Sequence, residues 1–171
     1  MKYILILLTL CFFVIPSSNA QEVINEIGEV LLVSLKDNNQ DTLKSIFVSF
    51  DDILKSVEVD SLPPLTQVNL DTISARQKVH FAEFLTRFDT ISNRGKEAKF
   101  NWEKSFVHHI DHKKTEEVSY RGNTKIITDF YQIDFYFSDG RIALAIYIKE
   151  AIGVGNKIKL VTVKDWVYGF L

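Results

Sequence analysis

Apolar residues recur at three- and four-residue steps through the first part of the chain, which is the pattern of amphipathic helices. The first stripe, between positions 23 and 35, is formed by Ile24, Ile27, Leu31 and Leu35. Asp37-Asn38-Asn39 interrupts it and supplies an N-cap for a second helix. The apolar residues on one face of that second helix are Leu43, Ile46, Phe47, Phe50, Ile53, Leu54 and Val57. Two helices joined so tightly are expected to pack antiparallel.

A third helix is predicted after a loop. Positions 60–70 contain two consecutive prolines and no periodicity, so they are expected to connect the first two helices to the rest. The third helix should begin near Asp71 or Thr72 and stop at Asn93-Arg94-Gly95. Its apolar face is rich in aromatic residues and consists of Phe81, Phe84, Leu85, Phe88 and Ile91.

After Gly95 the hydrophobic period changes from 3.6 to 2, which indicates strands. Three runs between Lys125 and Asp165 are separated by Ser138-Asp139-Gly140 and by Gly153-Val154-Gly155-Asn156, both typical of hairpins. Helices followed by an antiparallel meander predict an α+β fold, with one layer of helices on one face of a curved sheet. No linker or repeat divides residues 21–171, so they are predicted to form a single domain.

Strand parity separates the residues of the sheet into two faces. The more apolar set is predicted to face the helices, and it comprises Tyr131, Ile133, Phe135, Phe137, Ile142, Leu144, Ile146, Ile148, Ile158, Leu160 and Trp166. The opposite, outer set is mixed, and it includes Phe130, Gln132, Asp134, Tyr136, Ala143, Ala145, Tyr147, Lys157, Lys159, Val161 and Val163.

The N-terminus has the pattern of a secretory signal peptide. Met1-Lys2 precedes an apolar run from Tyr3 to Ile15, and the segment ends in Ser18-Asn19-Ala20. The run is shorter than the ~20 residues that span a bilayer, although an uncleaved anchor helix is the alternative. Residues 1–20 are therefore predicted to be removed, with Gln21 as the new N-terminus and a periplasmic or extracellular destination. The absence of an Asn-x-Ser/Thr sequence after residue 20 favours a bacterial protein.

Composition and charge exclude several function classes. The only Cys lies at position 11, so thiol chemistry and disulfides are excluded after cleavage. A net charge of −2 gives no field for nucleic acid or for an anionic membrane, and neither partner is expected. Nucleophile-elbow, phosphate-loop, H-E-x-x-H and EF-hand motifs are absent from the sequence, and no cofactor is expected.

The order of elements resembles the cystatin-like and nuclear-transport-factor-like superfamily, in which a long helix lies across a curved sheet. The resemblance concerns the layout of residues 21–171 and implies a pocket at the open end of a cone between helix and sheet. Asp129, Thr162 and Lys164 share parity with the apolar set, and His108 joins them if Phe106 and Ile110 face the core. An isomerase-, dehydratase- or hydrolase-like enzyme would use Asp129 and His108 as an acid–base pair. The alternative places these residues at strand ends in water.

The leading hypothesis is a non-enzymatic binding domain. A small apolar ligand would bind between helices and sheet, against the candidate pocket residues Phe84, Phe88, Tyr131 and Trp166, unless these form a filled core. A protein partner, or a second copy of the chain, would instead bind an outer patch that contains Phe130, Tyr136 and Tyr147.

The densest chemical feature is His108-His109-Ile110-Asp111-His112. In a helix, His108, Asp111 and His112 would share one face at metal-ligand spacing. In a strand, His108 and His112 would lie about 13 Å apart, too far for one zinc ion. The neighbouring Phe106-Val107 and the period of two favour the strand, with positions 113–117 as polar residues at a hairpin end. No metal site is therefore expected.

Overall fold

A computed structural model describes residues 15–57, 67–121 and 124–170 of the chain. Within these ranges, four α-helices precede a four-stranded antiparallel sheet, so the predicted α+β class is confirmed. The helices are α1 (Ile15–Asp37), α2 (Gln40–Lys44), α3 (Phe50–Val57) and α4 (Gln67–Glu97). Among the described residues, no helix has the length and apolarity that a bilayer crossing requires.

Helix α1 provides one half of the helical layer. Its buried side includes the whole predicted stripe, and Gly28 brings its backbone close to the sheet. A Cβ at Gly28 would lie 3.1 Å from Ile110 and 3.2 Å from Phe135. The helix ends in a Schellman motif, in which Asn38 has φ +50° and the N–H of Asn39 donates to the carbonyl of Ser34 at 2.9 Å.

The predicted second helix is in fact two short helices. Asn39 caps α2 as expected, and its side chain accepts hydrogen bonds from the backbone of Asp41 and Thr42. The chain then leaves the helical path, because positions 46–48 lie beside the sheet: Leu160 donates to Ile46 at 2.8 Å, and Val48 donates to Leu160 at 2.9 Å. Helical spacing did not reveal this, because Ile46 and Phe47 lie three and four residues after Leu43 and so continue the predicted stripe.

Helix α4 begins and ends outside its predicted bounds. It starts at Gln67, so the last four positions of the predicted loop are helical. The other positions of that loop, 60–66, lie outside the described ranges. It continues past Gly95 to Glu97 and closes with a second Schellman motif around Lys99 (φ +59°). The N–H of Phe100 donates to the carbonyl of Gly95 at 2.9 Å. Gly95 is thus an interior residue of the helix rather than its stop.

The sheet has the strand order β1-β2-β3-β4, with every neighbouring pair antiparallel. Its strands are β1 (Phe106–Arg121), β2 (Thr124–Ser138), β3 (Ile142–Val154) and β4 (Lys157–Phe170). Ten of the eleven residues predicted to face the helices are buried in the core, and the eleventh, Trp166, packs against it half-buried. The predicted meander and its inner face are therefore confirmed.

Register shifts occur in all three pairs of neighbouring strands, and two of them change which residues face the core. Between β3 and β4 the register shifts around Ile148 and Glu150, so that Val163 pairs with Ile148 and is buried in the core. The prediction that Val163 belongs to the outer set is therefore wrong. Between β1 and β2 a shift at positions 107–109 lets both Val107 and Ile110 pack towards the core.

Strand β1 is longer than the sequence pattern predicts. Positions 113–117 do not form a hairpin end, because the strand continues through them to Arg121. Strand β2 begins at Thr124, and residues 122–123 lie outside the described ranges. Residues 111–119 are all exposed, so this half of β1 shows no hydrophobic period for sequence analysis to detect.

Candidate functional site

A large cleft lies between the first half of α1 and the inner face of the sheet. Its volume is about 920 Å³, within the range of roughly 300–1,000 Å³ typical of ligand pockets. Helix α1 forms one wall, the β1–β2 ribbon and the β3–β4 turn form the other, and residues 45–46 close one end. The apolar side chains that line it are Ala20, Val23, Ile27, Val30, Ile46, Ile127, Tyr131 and Ile158.

Charged groups surround this apolar surface. Glu22 and Glu26 stand on α1, and Lys157 stands on β4 across the cleft. Lys114 and Asp129 face each other on β1 and β2, with 2.9 Å between Nζ and Oδ2. This hydrogen bond to Asp129 raises the pKa of Lys114 above its ordinary value. The cleft therefore offers an apolar interior and polar groups of both signs at its edge.

Small residues keep the sheet side of the cleft open. A Cβ at Gly153 would lie 3.1 Å from the Cβ of Asp129 and 3.7 Å from the ring of Tyr131. Burial raises the pKa of Tyr131, so its phenol stays neutral and remains a hydrogen-bond donor through the physiological range. Gly155, with φ +61°, forms the tight turn at the adjacent edge.

The four predicted pocket residues do not share one cavity. Tyr131 lines the cleft described above. Phe84 and Phe88 are buried in the core, where the Phe84 ring lies 5.0 Å from the ring of Phe47. Trp166 lies on β4 and contacts Tyr168, with 6.2 Å between ring centroids. The aromatic face of α4 thus forms core, and the open space lies under α1.

Asp129 and His108 are not brought together. Asp129 pairs with Glu116 of β1, which is eight residues from His108 along the same strand. At about 3.3 Å per residue, that separation is roughly 26 Å. His108 is exposed at the bulge, with its ring 6.2 Å from that of Phe106. The structure therefore provides no acid–base pair from these two side chains.

The histidine segment is part of β1, which confirms the strand prediction. Asp111 pairs with Asp134 and His112 pairs with Ile133, so these neighbours project to opposite faces. His108, Asp111 and His112 consequently do not converge on one point. Across the described ranges, no group of three or more His, Cys, Asp or Glu side chains is arranged to hold a metal ion.

A second concentration of polar groups occupies the outer face of the sheet. His109 Nε2 lies 2.9 Å from the Oδ1 of Asp111, and its ring stacks on Tyr136 at 5.9 Å. Tyr136 in turn contacts Tyr147 edge to face at 6.3 Å. Asp111 stands directly opposite Asp134, beside a shallow groove of about 540 Å³. Partial burial, and then the charge of Asp111, raise the pKa of Asp134.

Sequence reasoning missed this outer cluster, although part of its signal was present. His109 and Asp111 are two residues apart and therefore share one face of a strand. Asp134 and Tyr136 were already assigned to the outer set, but the register that places them opposite Asp111 and His109 depends on the bulge at His108. Of the predicted outer patch, Phe130 packs partly against the core, whereas Tyr136 and Tyr147 belong to the cluster.

Comparison of the chain with protein-family models, with curated proteins and with solved structures gives no significant match. The likeness to the cystatin-like and nuclear-transport-factor-like layout therefore stays a prediction.

Proposed function

We propose that the protein is an exported, non-enzymatic binding domain that holds a small apolar molecule with a polar end in the cleft under α1. The observation that carries this proposal is the open cleft itself, because its volume falls within the range of small-molecule sites and apolar side chains of α1, β2 and β4 meet there. An apolar chain would lie on Val23, Ile27 and Ile158, and a polar end group would lie at the charged edge.

The absence of a catalytic arrangement within the cleft supports binding over catalysis. The carboxylate at its edge, Asp129, is engaged by Lys114, and the nearest predicted base, His108, is far along β1. An acid–base mechanism needs two groups within hydrogen-bond reach of one substrate. The predicted pair of Asp129 and His108 is therefore not assembled at this cleft.

Export is compatible with the packing of α1. Among the side chains of α1 that are described, from Asn19 onward, the first buried one is Ile24, after the expected cleavage position. Asn19 is exposed and Ala20 only half-buried, so loss of these two side chains would open the end of the cleft that they line and remove no fully buried residue. Residues 1–14 of the predicted signal peptide lie outside the described ranges.

Calorimetric titration with decanoate and with decylamine tests the proposal, because these probes share an apolar chain and carry opposite end groups. We expect saturable binding of at least one probe. Ile127→Glu should abolish it, because this exposed side chain lines the cleft. The matched control is Val167→Glu, since Val167 is equally exposed but lies on β4 outside the cleft. Equal binding by both variants, or binding of neither probe to the unaltered protein, would contradict the proposal.

A second candidate is a protein contact on the outer face. The register aligns His109, Tyr136, Ala145 and Val167 in one row across all four strands, and Val167 is 51% exposed. Rows of aromatic and apolar residues on an open sheet are typical of interaction surfaces. Tyr136→Lys should then disrupt a complex without affecting probe binding in the cleft, which sedimentation and calorimetry together would show.

A further inference from the structure

The two edges of the sheet are treated differently by the fold. The free edge of β4 is partly covered, because Ile46 and Val48 exchange backbone hydrogen bonds with Leu160. Within the described ranges, β1 pairs only with β2, and its other edge has no strand beside it. Exposed strand edges are templates for pairing with another chain unless bulges, prolines, short length or charged side chains prevent it.

Strand β1 lacks most of these protections over its second half. From His109 to Arg121 its register with β2 is uninterrupted, and no proline occurs there. The single bulge lies before this segment, at positions 107–109. Residues 111–119 are all exposed. This edge is therefore long and regular enough to accept a further antiparallel strand.

The charges of this segment are complementary to those of a second copy that runs antiparallel to it. Lys113 and Lys114 precede Thr115, and Glu116 and Glu117 follow it. When Thr115 lies opposite Thr115 of a second copy, Lys113 lies opposite the second copy's Glu117 and Lys114 lies opposite its Glu116. Each of these pairs occurs twice across the two-fold axis. Directly opposed residues in antiparallel strands have Cβ atoms about 4.5–5.5 Å apart, within reach of ion pairs.

Neighbouring registers are less favourable. A two-fold axis perpendicular to the sheet keeps the same face of both copies on the same side. The axis must therefore run midway between one residue and the same residue of the second copy. Centring it on residue 114 opposes Lys114 to its own copy, and centring it on residue 116 opposes Glu116 to its own copy. Like charges directly opposite each other destabilise a strand pair. The register through Thr115 avoids both contacts.

We propose that two copies of the chain join through the second halves of their β1 strands, antiparallel about Thr115, to form one continuous eight-stranded sheet across a two-fold axis. Such an interface is isologous, because both copies contribute the same residues: residue 113 of each copy contacts residue 117 of the other. Its centre lies beside Lys114 at the edge of the cleft, and it does not use the outer-face row.

Charge reversal at the outermost pair tests this interface and avoids Lys114 and Glu116, because Lys114 forms ion pairs with both Glu116 and Asp129 within its own chain. Sedimentation velocity of the unaltered protein should show a dimer. Lys113→Glu alone and Glu117→Lys alone each oppose like charges twice, so each should weaken dimerisation on the order of tenfold or more. An equimolar mixture of the two variants should restore it, because the new carboxylate at 113 faces the new lysine at 117 and the unchanged pair faces itself.

Matched controls separate this effect from changes in net charge. Lys104→Glu and Glu29→Lys alter exposed side chains away from the β1 edge and should leave the dimer intact. A monomer at every concentration would overturn the proposal and assign the charges of β1 to protection of the edge. A dimer that survives both single reversals but is lost in Tyr136→Lys would overturn it in favour of the outer face.

Discussion

Helix propensity and side-chain packing predict opposite effects of the substitution Gly95→Ala on the free energy of unfolding. In an exposed helix interior, alanine is more favourable than glycine by roughly 0.8–1.0 kcal/mol. At this position, however, a Cβ would lie 2.5 Å from Cζ2 of Trp102 and 2.6 Å from the hydroxyl of Tyr168. Ordinary carbon contacts are about 3.5–4.0 Å, so both neighbours must move by about 1 Å.

Neither neighbour moves freely. The Tyr168 hydroxyl donates to the carbonyl of Ile91 at 2.7 Å, and the Trp102 ring packs edge-on to Phe100 at 4.7 Å. Overpacking of this kind typically costs about 1–3 kcal/mol, and losing the Tyr168 hydrogen bond costs about 1 kcal/mol more. These costs exceed the gain in propensity. Gly95→Ala should therefore lower the free energy of unfolding by about 2 kcal/mol.

Urea unfolding followed by circular dichroism measures this difference. Gly169→Ala is the control, because nothing lies within 4 Å of a Cβ placed there and the change should be close to neutral. In a Tyr168→Phe background the cost of Gly95→Ala should shrink, since one of the two close contacts disappears. A Gly95→Ala protein that unfolds at the same or a higher urea concentration than the parent would refute the packing argument.

Three further predictions concern charge and processing. Asp139→Ala should cost about 2–4 kcal/mol, because the fully buried carboxylate accepts backbone N–H groups of Asn101, Arg141 and Ile142 at 2.7–2.9 Å. Burial acts to raise the pKa of Asp139, but these hydrogen bonds outweigh burial and lower the pKa. The stabilisation by this carboxylate should therefore be complete above the pKa of the unfolded state and disappear as the pH falls through the pKa of the folded state. Urea unfolding at several pH values would show this loss. Asp134→Asn should raise stability at neutral pH by on the order of 0.5 kcal/mol, because it removes a half-buried charge opposite Asp111, and an unchanged midpoint in urea would contradict this. Intact-mass analysis of the exported protein should give Gln21 as its first residue, whereas a mass that includes residues 1–20 would support the anchor-helix alternative.

Most of the fold was predictable because most of its burial is periodic. The stripe of α1 and the alternation in β2 and β3 each place apolar side chains on one side of an element, which sequence periodicity detects directly. Gly140 and Gly155, with φ +88° and +61°, mark two turns that the sequence also predicts.

The errors occur where non-local contacts override local pattern. Positions 46–48 look helical but bond to Leu160, more than a hundred residues later in the chain. Gly95 looks like a helix stop, yet it is needed for close packing with Trp102 and Tyr168. Val163 changes face because a bulge in its pairing with β3 shifts the parity. None of these contacts leaves a periodic signal in the sequence.

The candidate site was predictable only in part, for the same reason. Tyr131 was assigned to a ligand pocket and does line the cleft, but its companions Phe84 and Phe88 form core. The location of the cleft depends on where α1 crosses the sheet and on how far the β1–β2 ribbon extends beyond it. Both are set by tertiary packing, for example by the close approach of Gly28 to Phe135.

The most direct test of ligand binding is an amide NMR titration with decanoate and with decylamine. Backbone N–H signals of glycine are well suited, because glycines occur both at the cleft and far from it. Binding under α1 should shift the signals of Gly153 and Gly155, which line the cleft, and leave those of Gly140 and Gly169 in place. Uniform shifts, shifts confined to Gly140 and Gly169, or no shifts with either probe would contradict the proposed function.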